Sequence, residues 1–180
     1  MITAALSCSG MSGSRSGWRS YYIRLSDQIS ISYPCGEASL DCLVEDFRLF
    51  MRDEGAHFEA YARQRGLEFE PFTRLGVGVY PMSLAEYVDG GLFVCEGYTY
   101  VLNDLMRREG FGEDERAEAG RLFVFTHEYA HHLGMRGEPV AYAFQEDYFA
   151  DRARCAYGPR KELYERLAHF VGERKHAYTT

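Results

Sequence analysis

The sequence predicts an α+β fold, and three observations support this prediction. Short segments alternate apolar and polar residues with the two-residue period of a β-strand, and Ile29–Tyr33 is one of them. Longer segments repeat apolar residues every three or four positions, which is the period of an amphipathic helix. No internal repeat and no linker divides these segments. We therefore predict a single domain over residues 18–180, preceded by a disordered Ser- and Gly-rich segment at residues 1–17.

The predicted strands come before the helical C-terminal part of the chain. Apolar and aromatic content and alternation predict strands within Tyr21–Leu25, Ile29–Tyr33 and Phe69–Tyr80. Two further apolar segments, Gly91–Cys95 and Tyr98–Leu102, flank a Glu-Gly pair, which predicts a β-hairpin. In a small sheet of this kind, an extended peptide can pair with an edge strand. The candidate edges are Leu92–Cys95 and Val77–Tyr80.

The predicted helices follow from apolar stripes and from the residues that end them. A stripe covers residues 39 to about 65, and Gly55 is expected to break it into two helices. Asn103 is expected to cap a short helix that ends before Gly110. The next helix begins at the acidic residues 113–115, which favour a helix N-terminus, and ends at Gly134. Two more helices are predicted over residues 140–157 and 160–175.

Composition excludes several classes of function. The chain has 180 residues, 46% of them hydrophobic, and a formal net charge of -7. So acidic a chain lacks the basic face that nucleic-acid binding needs, and it has no attraction to anionic membranes. No apolar run is long enough for a signal-peptide core or a membrane span. We expect a cytoplasmic protein, with export by a route without a classical signal as the alternative.

One short motif has the spacing of a metal site. His127-Glu128-Tyr129-Ala130-His131 matches H-E-x-x-H, and it follows an apolar stretch that predicts a buried helix. Residues four apart lie on one face of a helix, so both imidazoles can reach a single Zn²⁺ ion. Glu128 lies beside them and is placed to accept a proton from water as a general base. Two histidines and a glutamate on a buried helix are costly unless they are paired or bind metal.

The next helix offers acidic residues for a third ligand. The pair four apart on one helix face is Asp147 and Asp151, which favours Asp147 as the ligand and Asp151 as a second-shell group that orients a histidine. Glu146 remains the alternative third ligand because its side chain is longer and zinc peptidases of this kind usually use glutamate. A solvated helix face is the ordinary explanation of such charges, but Phe144, Tyr148 and Phe149 make this helix largely apolar.

Residues 90–155 resemble the bacterial neutral zinc metallopeptidases of the Glu-zincin group. The resemblance is carried by the cysteine-bearing segment Gly91–Cys95, the segment Tyr98–Asn103, the motif Phe123–His132 and Ala150-Asp151. It implies a zincin-like fold in which a small sheet packs on the active-site helix and a ligand helix follows. It also implies His127 and His131 as ligands, Glu128 as base and Asp151 behind the site, with the family's glutamate falling on Asp147. Cysteines lie in both regions of the family, so Cys95 and Cys155 are either bridged or free thiols.

The function implied is zinc-dependent hydrolysis of peptide bonds. The expected partner is a peptide or protein substrate, with neither nucleic acid nor membrane, and no particular oligomeric state is predicted. The alternative is a catalytically inactive zincin-like module that keeps its metal for binding or regulation. Retention of Glu128 favours the enzyme, since a structural site needs no base, and a purely structural zinc site usually has four protein ligands.

Overall fold

The computed structural model describes residues 6–7, 21–26, 29–33, 37–78 and 84–178. The architecture is α+β, as predicted. The chain divides into two compact units, residues 1–48 with 70–101 and residues 49–69 with 102–180. It passes between them three times, twice within a helix, so the sequence contains no linker that would mark the division. The single domain predicted over residues 18–180 stays a prediction.

The first unit contains a six-stranded mixed sheet with the order β1-β2-β3-β4-β6-β5. β1 pairs antiparallel with β2 and β2 with β3, whereas β3 and β4, and β4 and β6, are parallel. The strands are β1 (Leu6–Ser7), β2 (Tyr21–Ser26), β3 (Ile29–Tyr33), β4 (Arg74–Gly78), β5 (Ala85–Val88) and β6 (Gly91–Cys95). The strands predicted around residues 21–33 are therefore confirmed. The predicted disordered segment 1–17 lies outside the described residues, apart from β1.

The hairpin in this sheet differs from the predicted one. β5 and β6 pair antiparallel, with Val88 opposite Gly91, and they are joined by Asp89 and Gly90. Both turn residues have positive φ, 46° and 79°, as a type I′ turn requires, and Asp-Gly is a favoured pair for that turn. β5 and β1 are the edges of the sheet, and β6 is paired on both sides, so the predicted edge at Leu92–Cys95 was wrong. The other candidate edge, Val77–Tyr80, lies partly outside the described residues and stays a prediction. β6 lies between β4 and β5, and β4 between β3 and β6.

The segment predicted as the second hairpin strand is a helix. Tyr98–Arg108 forms α3, which begins directly after Gly97 with its φ of 73°. Tyr98, Leu102 and Met106 are 1%, 5% and 0% exposed, and they are four residues apart. Tyr100 is 78% exposed, although a strand alternating with Tyr98 and Leu102 would place it on their face. The helical period therefore explains the burial, and the predicted strand at Tyr98–Leu102 was wrong.

The other helices lie close to their predicted positions. The predicted break at Gly55 is a π-helical turn between two helices. No helix in the described part of the chain is long and apolar enough to cross a membrane. The helices are α1 (Glu37–Phe50), the π-helical turn (Met51–Gly55), α2 (Ala56–Gln64), α4 (Glu113–His132), α5 (Glu138–Cys155) and α6 (Gly158–Ala177).

An aromatic cluster in the second unit fixes the rotation of α4. Tyr129 is fully buried, and its ring lies 5.5 Å from that of Phe58, 5.9 Å from Phe50 and 5.1 Å from Phe69. Residues two apart lie about 200° apart around a helix. Packing Tyr129 into the cluster therefore turns His127 and His131 toward the opposite side of α4.

A buried amide attaches α5 to α4 just before the H-E-x-x-H motif. Gln145, which is 0% exposed, donates through Nε2 to the carbonyl oxygen of Phe123 at 2.6 Å and to Oγ1 of Thr126 at 2.7 Å. The Thr126 hydroxyl donates in turn to the carbonyl oxygen of Leu122 at 2.6 Å. Such buried polar contacts fix a helix pair in one register, because slipping would leave the groups without partners.

The predicted alternatives for the cysteines are decided. Cys42, Cys95 and Cys155 are all free, so the disulfide between Cys95 and Cys155 does not form. Burial raises the pKa of the Cys95 thiol, which favours the thiol over the reactive thiolate. Neither Cys95 nor Cys155 therefore supplies a covalent tie.

Candidate metal centre

The two histidines of the motif converge as their spacing predicts. They lie in the last two turns of α4, with Nε2 of His127 3.2 Å from Nε2 of His131. Their rings are close to perpendicular, with centroids 4.8 Å apart. His127 is 7% exposed, and the His131 side chain is 19% exposed. The site is therefore shielded from solvent on the α4 side.

The third group beside the imidazoles is Glu138, the first residue of α5. Its Oε2 lies 3.1 Å from Nε2 of His127, and its Oε1 lies 3.5 Å from Nε2 of His131. One ligand atom from each of the three residues can be chosen so that all lie within 4.8 Å of one another. The hydrogen bond from His127 lowers the pKa of Glu138, against the opposing effect of burial. Glu138 is therefore favoured as a carboxylate, the form that binds metal.

A tight helix end brings Glu138 back to the histidines. The amide of Met135 donates to the carbonyl of Ala130, and the amide of Gly134 donates to that of His131, both at 3.0 Å. This pair of bonds is a Schellman motif, and Gly134 takes the left-handed position it needs, with a φ of 91°. Gly137 has a φ of 84° directly before Glu138, so two glycines shape the short connection between α4 and α5.

The same helix end orients one ligand. Nδ1 of His131 lies 2.9 Å from the carbonyl oxygen of Met135. A carbonyl only accepts, so Nδ1 carries the proton and Nε2 presents its lone pair to the point between the three residues. Proteins commonly orient a metal-binding histidine through a hydrogen bond from its other ring nitrogen to a backbone carbonyl.

The distances between these atoms fit a zinc ion. Two nitrogens held ~2.0–2.1 Å from one tetrahedral zinc lie about 3.3 Å apart, and a nitrogen and a carboxylate oxygen lie about 3.4 Å apart. The observed separations are 3.2 Å between the two nitrogens, 3.1 Å from Nε2 of His127 to Oε2 of Glu138 and 3.5 Å from Nε2 of His131 to Oε1, the other oxygen of that carboxylate. One ligand atom from each residue lies within 4.8 Å of the others, so small side-chain rotations suffice to hold one ion. Two neutral imidazoles and a carboxylate are also a known ligand set of catalytic zinc. The residues present therefore fit the metal that the motif implies.

The predicted third ligand lies elsewhere. Asp147 is exposed, and Glu146 forms an ion pair with Lys175 of α6. Asp151, predicted to hydrogen-bond a ligand histidine, accepts instead from Arg154 at 2.8 Å. Within the part of the chain that the structure describes, none of the three joins a metal-holding group with the histidines. These positions do not support Asp147 or Glu146 as the third ligand, or Asp151 as the group that orients a ligand histidine.

Glu128 is the residue that the sequence predicts as general base. It follows His127 on α4 and is 4% exposed. Burial raises the pKa of Tyr142, and the neighbouring Tyr178 and the carboxylates of Glu138 and Glu128 add to this increase. Glu128 therefore lies close enough to Tyr142 to affect its pKa, and it does not belong to the His127–His131–Glu138 cluster.

A sequence signal for Glu138 does exist. In one class of zinc peptidases, the motif continues as H-E-x-x-H-x-x-G-x-x-H, and a glycine turn returns the third ligand to the metal. Gly134 stands at the glycine position of this pattern, and Glu138 comes one residue after the position of the third ligand.

The chain matches no protein-family model, no curated protein and no solved structure. The resemblance over residues 90–155 therefore stays a prediction.

Proposed function

We propose that the protein is a zinc-dependent metallopeptidase of zincin type. His127, His131 and Glu138 hold the metal, and Glu128 is the general base. The observation that carries this proposal is the convergence of the Nε2 atoms of His127 and His131 with the carboxylate of Glu138. Glu128, which follows His127 in the sequence, is a buried acid. Three protein ligands leave a coordination position for water or substrate, as catalytic zinc sites do.

The residues divide the chemical work between them. A bound zinc ion supplies Lewis acidity, which lowers the pKa of water toward neutrality and polarises a carbonyl. Glu128 accepts the proton of the attacking water and passes it to the leaving amine. His131 keeps its lone pair on Nε2 because Nδ1 donates to Met135. Burial of His127 and Glu128 lowers the local dielectric, which strengthens the effect of each charge.

A peptide or protein is the proposed substrate, because the motif and the resemblance both belong to peptidases. The inactive zincin-like module is the weaker alternative. A zinc ion held for structure usually has four protein ligands, and the cluster among the described residues has three. Glu128 is also buried and adjoins His127 in the sequence, which suits the base of a hydrolase, whereas a structural zinc site needs no base.

Metal content and turnover test the proposal together. We expect purified protein to contain about one zinc ion per chain and to cleave an internally quenched peptide library, with chelation abolishing the cleavage. Glu128→Gln should lower cleavage by roughly 100-fold or more, since general-base catalysis contributes about 10²–10⁴-fold. It should leave zinc content unchanged, because Glu128 is not a ligand. Glu146→Gln is the matched control, and it should keep both zinc and activity.

Three results would contradict the proposal. Protein that contains no zinc after preparation with zinc present would show that His127 and Glu138 form an ion pair and not a metal site. Zinc lost from Glu128→Gln would show that Glu128 binds the metal, which would leave the base unassigned. Full zinc content without cleavage of any peptide in the library would favour the inactive module.

A further inference from the structure

The two candidate ligand histidines are held in different ways. Nδ1 of His131 is bonded to the carbonyl of Met135. Nδ1 of His127 is buried and has no hydrogen-bond partner among the described residues. Metal-bound histidines almost always use that nitrogen to fix the ring, by donating to a carboxylate, a carbonyl or water. The orientation of His127 therefore needs another source.

Aromatic packing surrounds the ring of His127. The ring of Tyr142 lies 4.4 Å from it, centroid to centroid, with the planes inclined by 40°. The ring of Phe123 lies 6.2 Å away and is nearly parallel, at 27°. Of the two, Tyr142 makes the closer contact. It is 5% exposed, and Tyr178 stacks on it with centroids 5.7 Å apart.

Tyr142 also lies on the helix that carries the third ligand. It follows Glu138 by four residues on α5, so the two side chains share one helix face. The face of α5 that carries the Glu138 carboxylate thus also carries the Tyr142 ring, which packs on His127. Because α5 is held on α4 by Gln145, the position of Tyr142 relative to His127 is set by the helix pair.

We propose that Tyr142 is a positioning residue for the metal centre, and that its ring, by packing on His127, holds Nε2 toward His131 and Glu138. The χ2 torsion of histidine is broad and has two wells, so an imidazole without a hydrogen bond on its far nitrogen is free to turn. Turning the ring would carry Nε2 away from the other two ligand atoms. Packing by Tyr142 restrains this rotation. This inference rests on the metal centre proposed above.

Zinc affinity of four variants of the full chain tests the inference, measured by competition with a chromogenic chelator. Tyr142→Leu removes the ring, and we expect zinc to bind roughly 10–100-fold more weakly, as for other groups that orient a ligand. Tyr142→Phe keeps the ring and should bind zinc as the wild type does. Phe149→Leu is the control, because Phe149 is fully buried on the same helix but stacks on Tyr164. Should Tyr142→Leu fail to fold, Tyr142→Met fills much of the volume without a ring.

A spectroscopic readout separates positioning from general stability. Cobalt(II) in the same site reports ligand geometry through its visible absorption, which should change in Tyr142→Leu and not in Phe149→Leu. Wild-type affinity and an unchanged cobalt spectrum in the ringless variants would overturn the inference. So would an equal loss in Tyr142→Phe, which would assign the effect to the hydroxyl, or an equal loss in Phe149→Leu. Wild-type protein that binds neither metal would instead overturn the proposed function.

Discussion

Replacing Glu138 by alanine should lower zinc affinity by more than about 100-fold, the upper end of the loss caused by removing a group that only hydrogen-bonds a ligand. The two carboxylate oxygens of Glu138 lie 3.1 and 3.5 Å from the Nε2 atoms of His127 and His131. Without it, two histidines would hold the metal alone. Cleavage should fall with the metal content, and the measurement is chelator competition followed by elemental analysis of the dialysed protein.

Asp147→Ala and Glu146→Ala are the matched controls for this change. Each removes one carboxylate from the same helix, and neither residue belongs to the cluster around the histidines. Both variants should bind zinc within about threefold of the wild type, well inside the effect of a second-shell change. A large loss of zinc in Asp147→Ala, with none in Glu138→Ala, would restore the ligand set expected from the sequence. Glu138→Gln adds a graded test, because an amide oxygen is a weaker ligand than a carboxylate oxygen.

The motif histidines were predictable because their geometry is local. Residues four apart on one helix lie on one face whatever the rest of the fold does, and the structure brings the Nε2 atoms of His127 and His131 to 3.2 Å. The third ligand depends on how the chain leaves the helix. The helical period predicts that Asp147 and Asp151 share one face of α5. It does not predict which part of α5 lies beside the histidines. That is decided by the turn at Gly134.

Local period also separates the correct from the incorrect parts of the predicted fold. The strands near residues 21–33 and the long helices were found because several repeats agree on one period. Tyr98–Leu102 is too short to distinguish the two periods. Apolar residues at positions 98, 100 and 102 suit a strand, and those at 98 and 102 also suit a helix. The burial of Met106 decides for the helix. The Asp89-Gly90 pair was a stronger hairpin signal than Glu96-Gly97.

A buried charge network was not predictable at all, because its members are distant in sequence. Glu54, in the π-helical turn, is 0% exposed. Its carboxylate accepts from Nε of Arg152 at 2.5 Å, from the Tyr164 hydroxyl at 2.7 Å and from the Tyr148 hydroxyl. Arg160 approaches it at 3.5 Å. Burial raises the pKa of Tyr148 well above its ordinary value, and Glu54 adds to the shift, so this hydroxyl stays protonated and donates.

Glu54→Ala should therefore lower the free energy of unfolding by about 3–5 kcal/mol, the usual cost of removing one partner of a buried ion pair. The variant would leave the guanidinium of Arg152, only 15% exposed, without its carboxylate, and it would strip two buried hydroxyls of their acceptor. Urea unfolding of both proteins with chelator present measures the difference free of any contribution from metal binding. Glu59→Ala is the control, because Glu59 pairs with Arg63 at 2.5 Å on the exposed side of α2, and surface pairs contribute at most about 1 kcal/mol. Equal losses in the two variants would mean that the carboxylate of Glu54 is solvated and that the network contributes little to the fold.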